Sequence, residues 1–277
     1  MAEAERDTRE ASKLLRLRRG DRCATCGLDQ PRGTQAWWDS AARVVRCRPC
    51  VEGAELARAL AGEAGASARK EFERRHANRQ DDLQRRFGRL APIANALSAE
   101  PQSTAAWAKG ASGEVRLSAF LAKELGDTAI VLHDRRVPGS RANIDHLVVS
   151  PSGIWVVDAK SYSGKVEFVA EGSVFRPTMR LRVGGRDRSE LVDAVRAQVE
   201  VCRRALGGSD ASLPVHGVLC FVDSDWSLFA KPFVFRGVLV AYPGGLVKRI
   251  RREGPLDAET VSWTAARLAT ALPPSTG

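Results

Sequence analysis

Two aspartates and a lysine stand close together in the stretch IDHLVVSPSGIWVVDAK, residues 144–160, with Asp145 near its start and Asp158 and Lys160 at its end. The apolar runs on either side of SPSG read as the two strands of a hairpin. If the turn is centred between Pro151 and Ser152, residues whose numbers sum to 303 lie opposite each other, and Asp145 and Asp158 meet that sum. Opposed carboxylates repel at the cross-strand Cβ separation of roughly 5 Å, so something must offset the repulsion. Side chains alternate along a strand, which puts Lys160 on the same face as Asp158. Two carboxylates and an ammonium at the open end of a strand pair describe a magnesium site, with oxygen ligands and positions left for water and a phosphate oxygen. Such an ion acidifies water and stabilises charge developing on phosphorus, while the lysine orients the nucleophile or neutralises the transition state. The competing structural reading is a plain salt bridge from Lys160 to one aspartate, with the other capping a turn. A one-residue slip in register would also remove the direct pairing.

A second group points to different chemistry. Cys23, Cys26, Cys47 and Cys50 follow the pattern C-x2-C-x20-C-x2-C. Each pair sits on a tight turn able to present two thiolates to one tetrahedral ion, and AWWD and RVV between them supply the strands of a connecting hairpin. Gly27 follows the first knuckle, where a positive φ is expected. A redox pair of CxxC motifs is the other reading, but the βαβ context of a thioredoxin-like fold is missing. Four thiolates on zinc make a closed site, so the expectation is a structural zinc that supplies much of the folding free energy of a small ribbon.

The elements that must position these residues fall into three regions. Residues 1–52 hold the cysteines, 53–104 are rich in Ala, Arg and Glu, and 105–277 alternate helical and strand patterns. The middle region has both charge signs at helical spacing and few large apolar residues, which predicts an exposed helix or helical pair interrupted at Gly62 and Gly65. It reads as a spacer with i, i+4 charge pairs, or alternatively as an arm for self-association or nucleic-acid contact through Arg74, Arg75, Arg79, Arg85 and Arg86. From Ser112, a candidate N-cap, a helix places Val115, Phe120, Leu121 and Leu125 on one stripe. Strands follow at TAIVLHDRRV, at the hairpin and near residues 165–168, then a helix ending at Gly207, strands at VHGVLCFVD and GVLVAY, and a closing helix. Helices interleaved with strands predict a mixed sheet in a three-layer α/β arrangement.

The 277 residues carry 43 Lys or Arg against 33 Asp or Glu, a formal charge of +10, which favours a polyanionic partner. No run is apolar enough for a membrane span or signal peptide, so a cytoplasmic protein is expected. His146 projects away from Asp145 and, with His133 and His216, reads as structural. Cys202 and Cys220 read as buried thiols. Arg176, Arg180, Arg182, Arg186 and Arg188, and the run Lys248 to Arg252, read either as basic stretches that track a phosphate backbone or as exposed basic loops with no partner.

The order GEVRLSAFLAKEL, then NIDHLVVSPSGIWVVDAKSYSGKV, then a helix with RAQVEVCRRAL, resembles the nuclease-related domain (NERD) family of the PD-(D/E)XK nuclease-like superfamily, over about residues 108–245. The resemblance implies a restriction-endonuclease-like mixed sheet flanked by helices, joined to the ribbon and spacer. It implies that Glu114 is the first-helix acid, Asp145 and Asp158 the metal-binding acids, Lys160 the catalytic lysine and Gln198 a supporting polar residue. The second acid is usually Glu; Asp158 is one methylene shorter, which the superfamily pattern allows. The expected activity is Mg2+- or Mn2+-dependent hydrolysis of nucleic-acid phosphodiesters, with DNA the leading substrate. The alternative is a non-catalytic nucleic-acid- or protein-binding module on the same scaffold.

Overall fold

The computed structural model describes residues 12–87, 102–140, 142–173, 176–207, 212–226 and 231–275. At the front, β1 (Ser12–Arg16), β4 (Gln35–Asp39) and β5 (Val44–Cys47) form a three-stranded antiparallel sheet in the order β1-β4-β5, and β2 (Asp21–Arg22) pairs with β3 (Asp29–Gln30) around the first cysteine knuckle. Helix α1 (Arg48–Ala59) starts directly from Cys47, α2 spans Ala66–Phe87 and α3 Gln102–Leu125. Next come β6 (Ile130–Arg136), β7 (Asn143–Ser150), β8 (Gly153–Lys160), the arm β9 (Val166–Ser173), β10 (Arg176–Val183) and β11 (Arg186–Asp187), and α4 (Glu190–Leu206). The chain ends with β12 (Val215–Phe221), β13 (Phe233–Phe235), β14 (Val238–Ala241), α5 (Pro243–Ile250) and α6 (Ala258–Ala271).

Six strands make the main sheet in the order β13-β14-β12-β8-β7-β6, antiparallel from β6 to β8 and parallel from β8 through β12 to β14. Val192, Val195, Val199, Cys202 and Leu206 of α4 pack on one face with Val261, Ala265 and Leu268 of α6. Leu117, Leu121 and Leu125 of α3 cover the other face with Leu246, Val247 and Ile250 of α5. Each buried Val, Leu or Ile among them contributes roughly 1.5–3 kcal/mol. The expected three-layer mixed α/β arrangement is therefore present, and α4 ends at Gly207 as its sequence indicates. No helix among the described residues is long and apolar enough to cross a membrane.

Three local expectations fail. Helix α3 begins ten residues before Ser112, so that serine lies inside the helix and caps nothing. Val115, expected on the apolar stripe, is 46% exposed. The exposure expected after residue 53 fails at once, since Leu56 and Ala57 of α1 are buried in the main core. Beyond the break at Gly62 and Gly65 the charged pattern behaves as expected: in α2, Arg74 and Arg75 both pair with Glu71, at 2.8 and 2.6 Å. Residues 1–11 of the expected ribbon and 88–101 of the expected spacer lie outside the described residues.

Arg135 on the edge strand β6 ties the ends of two helices of one layer, α1 and α6, to the sheet. It is fully buried, and its Nε, Nη1 and Nη2 donate to the carbonyls of Leu272, Leu60 and Ala269 at 2.6, 2.6 and 2.7 Å. These carbonyls lie at the C-terminal ends of α6 and α1, where the helix dipole favours a cation. Burial lowers the Arg135 pKa to about 10, against the opposing effect of Asp134, so the side chain stays charged at neutral pH. Arg135→Met is expected to cost roughly 2–4 kcal/mol, because three carbonyls lose their donor while no acceptor is removed with it. Urea unfolding would read this directly, with a shift of under 0.5 kcal/mol expected for exposed Arg136→Met.

Candidate functional site

The β7–β8 ladder runs from Ser150↔Gly153 to His146↔Val157, each pair summing to 303, so the hairpin has the expected register. The ladder stops one step short of Asp145 and Asp158. There, Asp145 Oδ2 accepts from the Ala159 amide at 2.8 Å, and Lys160 Nζ lies 2.7 Å from Asp158 Oδ2. The repulsion between the aspartates is thus met by a backbone N–H on one side and an ammonium on the other. Burial would lower the Lys160 pKa, but the carboxylates of Asp158 and Asp145 outweigh it and hold the lysine above its ordinary value.

Glu114 reaches the same place from α3. It is buried, takes a hydrogen bond from the Gly65 amide, and leaves Oε2 buried with no hydrogen-bond partner. Burial, then Asp134 and Asp158, push its pKa up to about 7 against the pull of Lys160. Asp145 is raised well above the usual carboxylate range by burial first and by Glu114 and Asp158 next. Gly113 allows α3 this approach: a Cβ there would fall 1.9 Å from Ser161 Oγ, beside Lys160. Gln198 on α4 donates to the Asn143 carbonyl at 3.1 Å, two residues before Asp145, and its Oε1 is buried without a partner. Gln198 therefore braces the strand that presents Asp145.

Glu114, Asp145, Asp158 and Lys160 form one electrostatically coupled group with more acid than base. Their carboxylates do not form a tight ligand set. Among the described residues, only the four cysteines bring three or more such ligand atoms within 4.8 Å of one another.

Asp134 is a member of the neighbourhood that sequence reasoning missed. It is fully buried on β6, accepts from the Ser67 amide at 2.7 Å and from Asn143 Nδ2 at 2.6 Å, and has the largest effect of any charged neighbour on Glu114. Its signal in the sequence is a pair of adjacent charges, Asp134-Arg135, inside an apolar strand. A left-handed backbone at Asp134, φ 50°, lets both turn inward. His146 and His133 pair across the strands through their Nδ1 atoms at 2.9 Å. Burial lowers their pKa values to about 3 and about 4, so both are neutral packing groups at pH 7.

At the ribbon, Gly27 has φ 69° after the first knuckle as expected, and the Cys26 and Cys47 sulfurs are 3.8 Å apart. Tetrahedral zinc with bonds of about 2.3 Å gives sulfur–sulfur edges of about 3.8 Å, so the cluster is compatible with structural zinc. Hydrogen bonds from Cys47 and Cys50 lower the Cys23 pKa, whereas the bond to Cys23 pushes Cys47 up to about 12. A divalent ion bound there would hold all four as thiolates.

A mixed sheet flanked by helices, with acids and a lysine at the end of its central hairpin, defines a nuclease-like α/β domain. Residues 109–222 match the family described as the nuclease-related domain. Neither a curated protein nor a solved structure matches the chain.

Proposed function

We propose that this protein is a metal-dependent nuclease that hydrolyses phosphodiester bonds, with DNA as its leading substrate. The observation that carries the reading is the concentration of buried acid around Lys160: three carboxylates share one ammonium, and Glu114 Oε2 has no partner. Excess buried negative charge with a free acceptor suits a hard divalent cation, and Asp145, Asp158 and Glu114 would hold Mg2+ or Mn2+. Such an ion supplies Lewis acidity and a more acidic water at neutral pH. Lys160, held by Asp158, stays protonated and places positive charge where the phosphorane builds up negative charge. Asp145 is aimed by the Ala159 amide, and Gln198 fixes the strand that carries it. The zinc ribbon, charged spacer and nuclease-like domain are proposed as residues 1–52, 53–104 and 105–277. A cytoplasmic location and self-association through the spacer belong to the same reading.

A second reading has its own observation. Lys160 already neutralises Asp158, and the carboxylates are not drawn together, which also suits a non-catalytic nucleic-acid- or protein-binding module. Incubation of the purified protein with labelled single-stranded, double-stranded and branched substrates separates the two. The nuclease reading expects products with Mn2+ and none with EDTA, and calorimetry should show Mn2+ binding that is lost in Asp145→Asn. Intact substrate under every condition, together with no such binding, would leave the scaffold reading standing.

A further inference from the structure

Of the buried side-chain N and O atoms without a hydrogen-bond partner, Glu114 Oε2 and Gln198 Oε1 belong to the site above, and three more, Ser161 Oγ, Trp226 Nε1 and Arg188 Nε, lie on segments that adjoin the end of β8, Ser161 towards α3 and the other two on the opposite side of the sheet. Ser161 Oγ directly follows Lys160. Trp226 Nε1 lies on the segment after β12, which is bound to the end of β8 through Val222 N to Lys160 O at 3.0 Å and to the segment after β8 through Asp225 N to Gly164 O at 2.9 Å. Arg188 Nε is the third, and its guanidinium stacks 4.7 Å from the centre of the Tyr162 ring, two residues past Lys160. Buried polar groups seldom go unsatisfied, so the Arg188 Nε–H calls for an acceptor, supplied by water or by a polar ligand.

The arginines of the arm divide by partner. Arg180 pairs with Asp187 at 3.3 Å and Arg182 with Glu171 at 2.6 Å, so those two charges are neutralised within the arm. Arg188 has an aromatic face instead of an acid. Its backbone is fixed where the arm meets α4: its amide donates to Leu181 O at 2.8 Å, and the neighbouring Ser189 Oγ accepts from the Leu181 amide at 3.0 Å. Tyr162 is fixed too, since its carbonyl accepts from Ser224 Oγ at 2.6 Å and its ring lies 6.3 Å from Phe221, the ladder partner of Lys160. A planar guanidinium set on a ring, with an N–H left over, is preorganised for the fork geometry of a phosphate.

We infer that Arg188, stacked on Tyr162, is a phosphate-binding residue that grips the nucleic-acid backbone beside the bond attacked at Lys160. This rests on the nuclease reading and adds to it the group that seats the strand.

The test is binding of a fluorescein-labelled DNA duplex with Ca2+ in place of Mg2+, over a series of salt concentrations, and RNA of the same sequence in a second arm. Arg188→Gln is expected to raise Kd about tenfold and to reduce the slope of log K against log salt by about 1, the signature of one lost phosphate contact. Arg188→Lys should recover most of the slope and only part of the affinity, since the ammonium keeps the charge without the fork. Arg182→Gln, the same charge change at a paired arginine, should leave Kd within about twofold. Equal losses in Arg188→Gln and Arg182→Gln, or an unchanged slope in the former, would overturn the assignment, and so would a wild-type protein that binds neither nucleic acid. Wild-type protein that binds through Arg188 yet never cleaves with Mn2+ would keep the assignment and sink the hydrolytic reading. Cleavage with Kd and KM unchanged in Arg188→Gln would do the reverse.

Discussion

Lys160→Met and Asp145→Asn should each reduce Mn2+-dependent cleavage by ~10³-fold or more, while moving stability in opposite directions. Lys160 is the one ammonium in the coupled group and neutralises Asp158 at 2.7 Å. Methionine has similar bulk but leaves the Asp158 carboxylate facing Asp145 without its counter-charge. A loss of roughly 1–3 kcal/mol is expected in the metal-free protein. Asp145→Asn does the opposite. The amide oxygen still accepts from Ala159 N, and a buried negative charge repelled by Glu114 and Asp158 is removed. Metal-free Asp145→Asn should therefore be more stable by about 1 kcal/mol, a rise in Tm of about 2–4 °C for a chain of this size. Thermal melts in EDTA, beside single-turnover cleavage with Mn2+, give both signs. A cleaving Lys160→Met protein would remove the lysine from the chemistry. A destabilised Asp145→Asn would mean that the aspartate is held for structure.

The hairpin was legible because its information is local. A period-two apolar pattern and the SPSG turn fix the register, and with it the faces of Asp158 and Lys160. The cysteine spacing was legible for a similar reason, since two short knuckles define four ligands before any tertiary contact forms. Glu114 was different: no spacing links it to Asp145, Asp158 and Lys160 far downstream, and only the resemblance to a known family pointed to it. What brings it in is the contact of Gly113 with Ser161, a packing fact. Asp134 and Arg135 escaped because a single left-handed residue breaks the alternation on which strand reading depends. Ser112 misled because a capping residue type is a weak signal beside a helix that continues through it. The arm was seen only as a short strand near residues 165–168. Its strands β9 and β10 pair with each other instead of joining the main sheet, so they lack the buried apolar run that marks β7 and β8.

The same distinction explains how the arginines had to be read. Five of them within thirteen residues gave one undivided basic stretch, and charge alone offers no ranking among them. Pairing does the ranking. An arginine 2.6 Å from a glutamate has little field left for a distant phosphate, whereas one stacked on an aromatic ring keeps its charge and its donors. Arg176 carries no such ranking, because its side chain lies outside the described residues.

Stripping metal from the four cysteines should unfold the ribbon and weaken, without abolishing, the main domain. Among the described residues, the ribbon cluster has only Leu17, Ala36 and Val45 as buried apolar residues, with Leu15 and Trp38 packed against them. At ~1.5–3 kcal/mol for each large side chain, that core cannot hold so many ordered residues against their conformational entropy. The ribbon is also wired to the rest of the molecule. Cys47 and Cys50 sit at the start of α1, Trp37 Nε1 donates to Glu52 of α1 at 2.9 Å, and α1 buries Leu56 in the main core. Loss of the metal therefore frees one end of a core helix. A chelator should split a single thermal transition in two: an early one reported by Trp37 and Trp38 fluorescence, and a main one lowered by several degrees. Cys50→Ser, with three thiolates left, should release zinc to a chelating dye at concentrations that leave the wild type loaded, and should show the early transition without any chelator. A metal-free protein with one unchanged transition would assign the ribbon's stability to packing alone, and a Cys50→Ser protein that keeps a full equivalent of zinc would remove that thiolate from the ligand set.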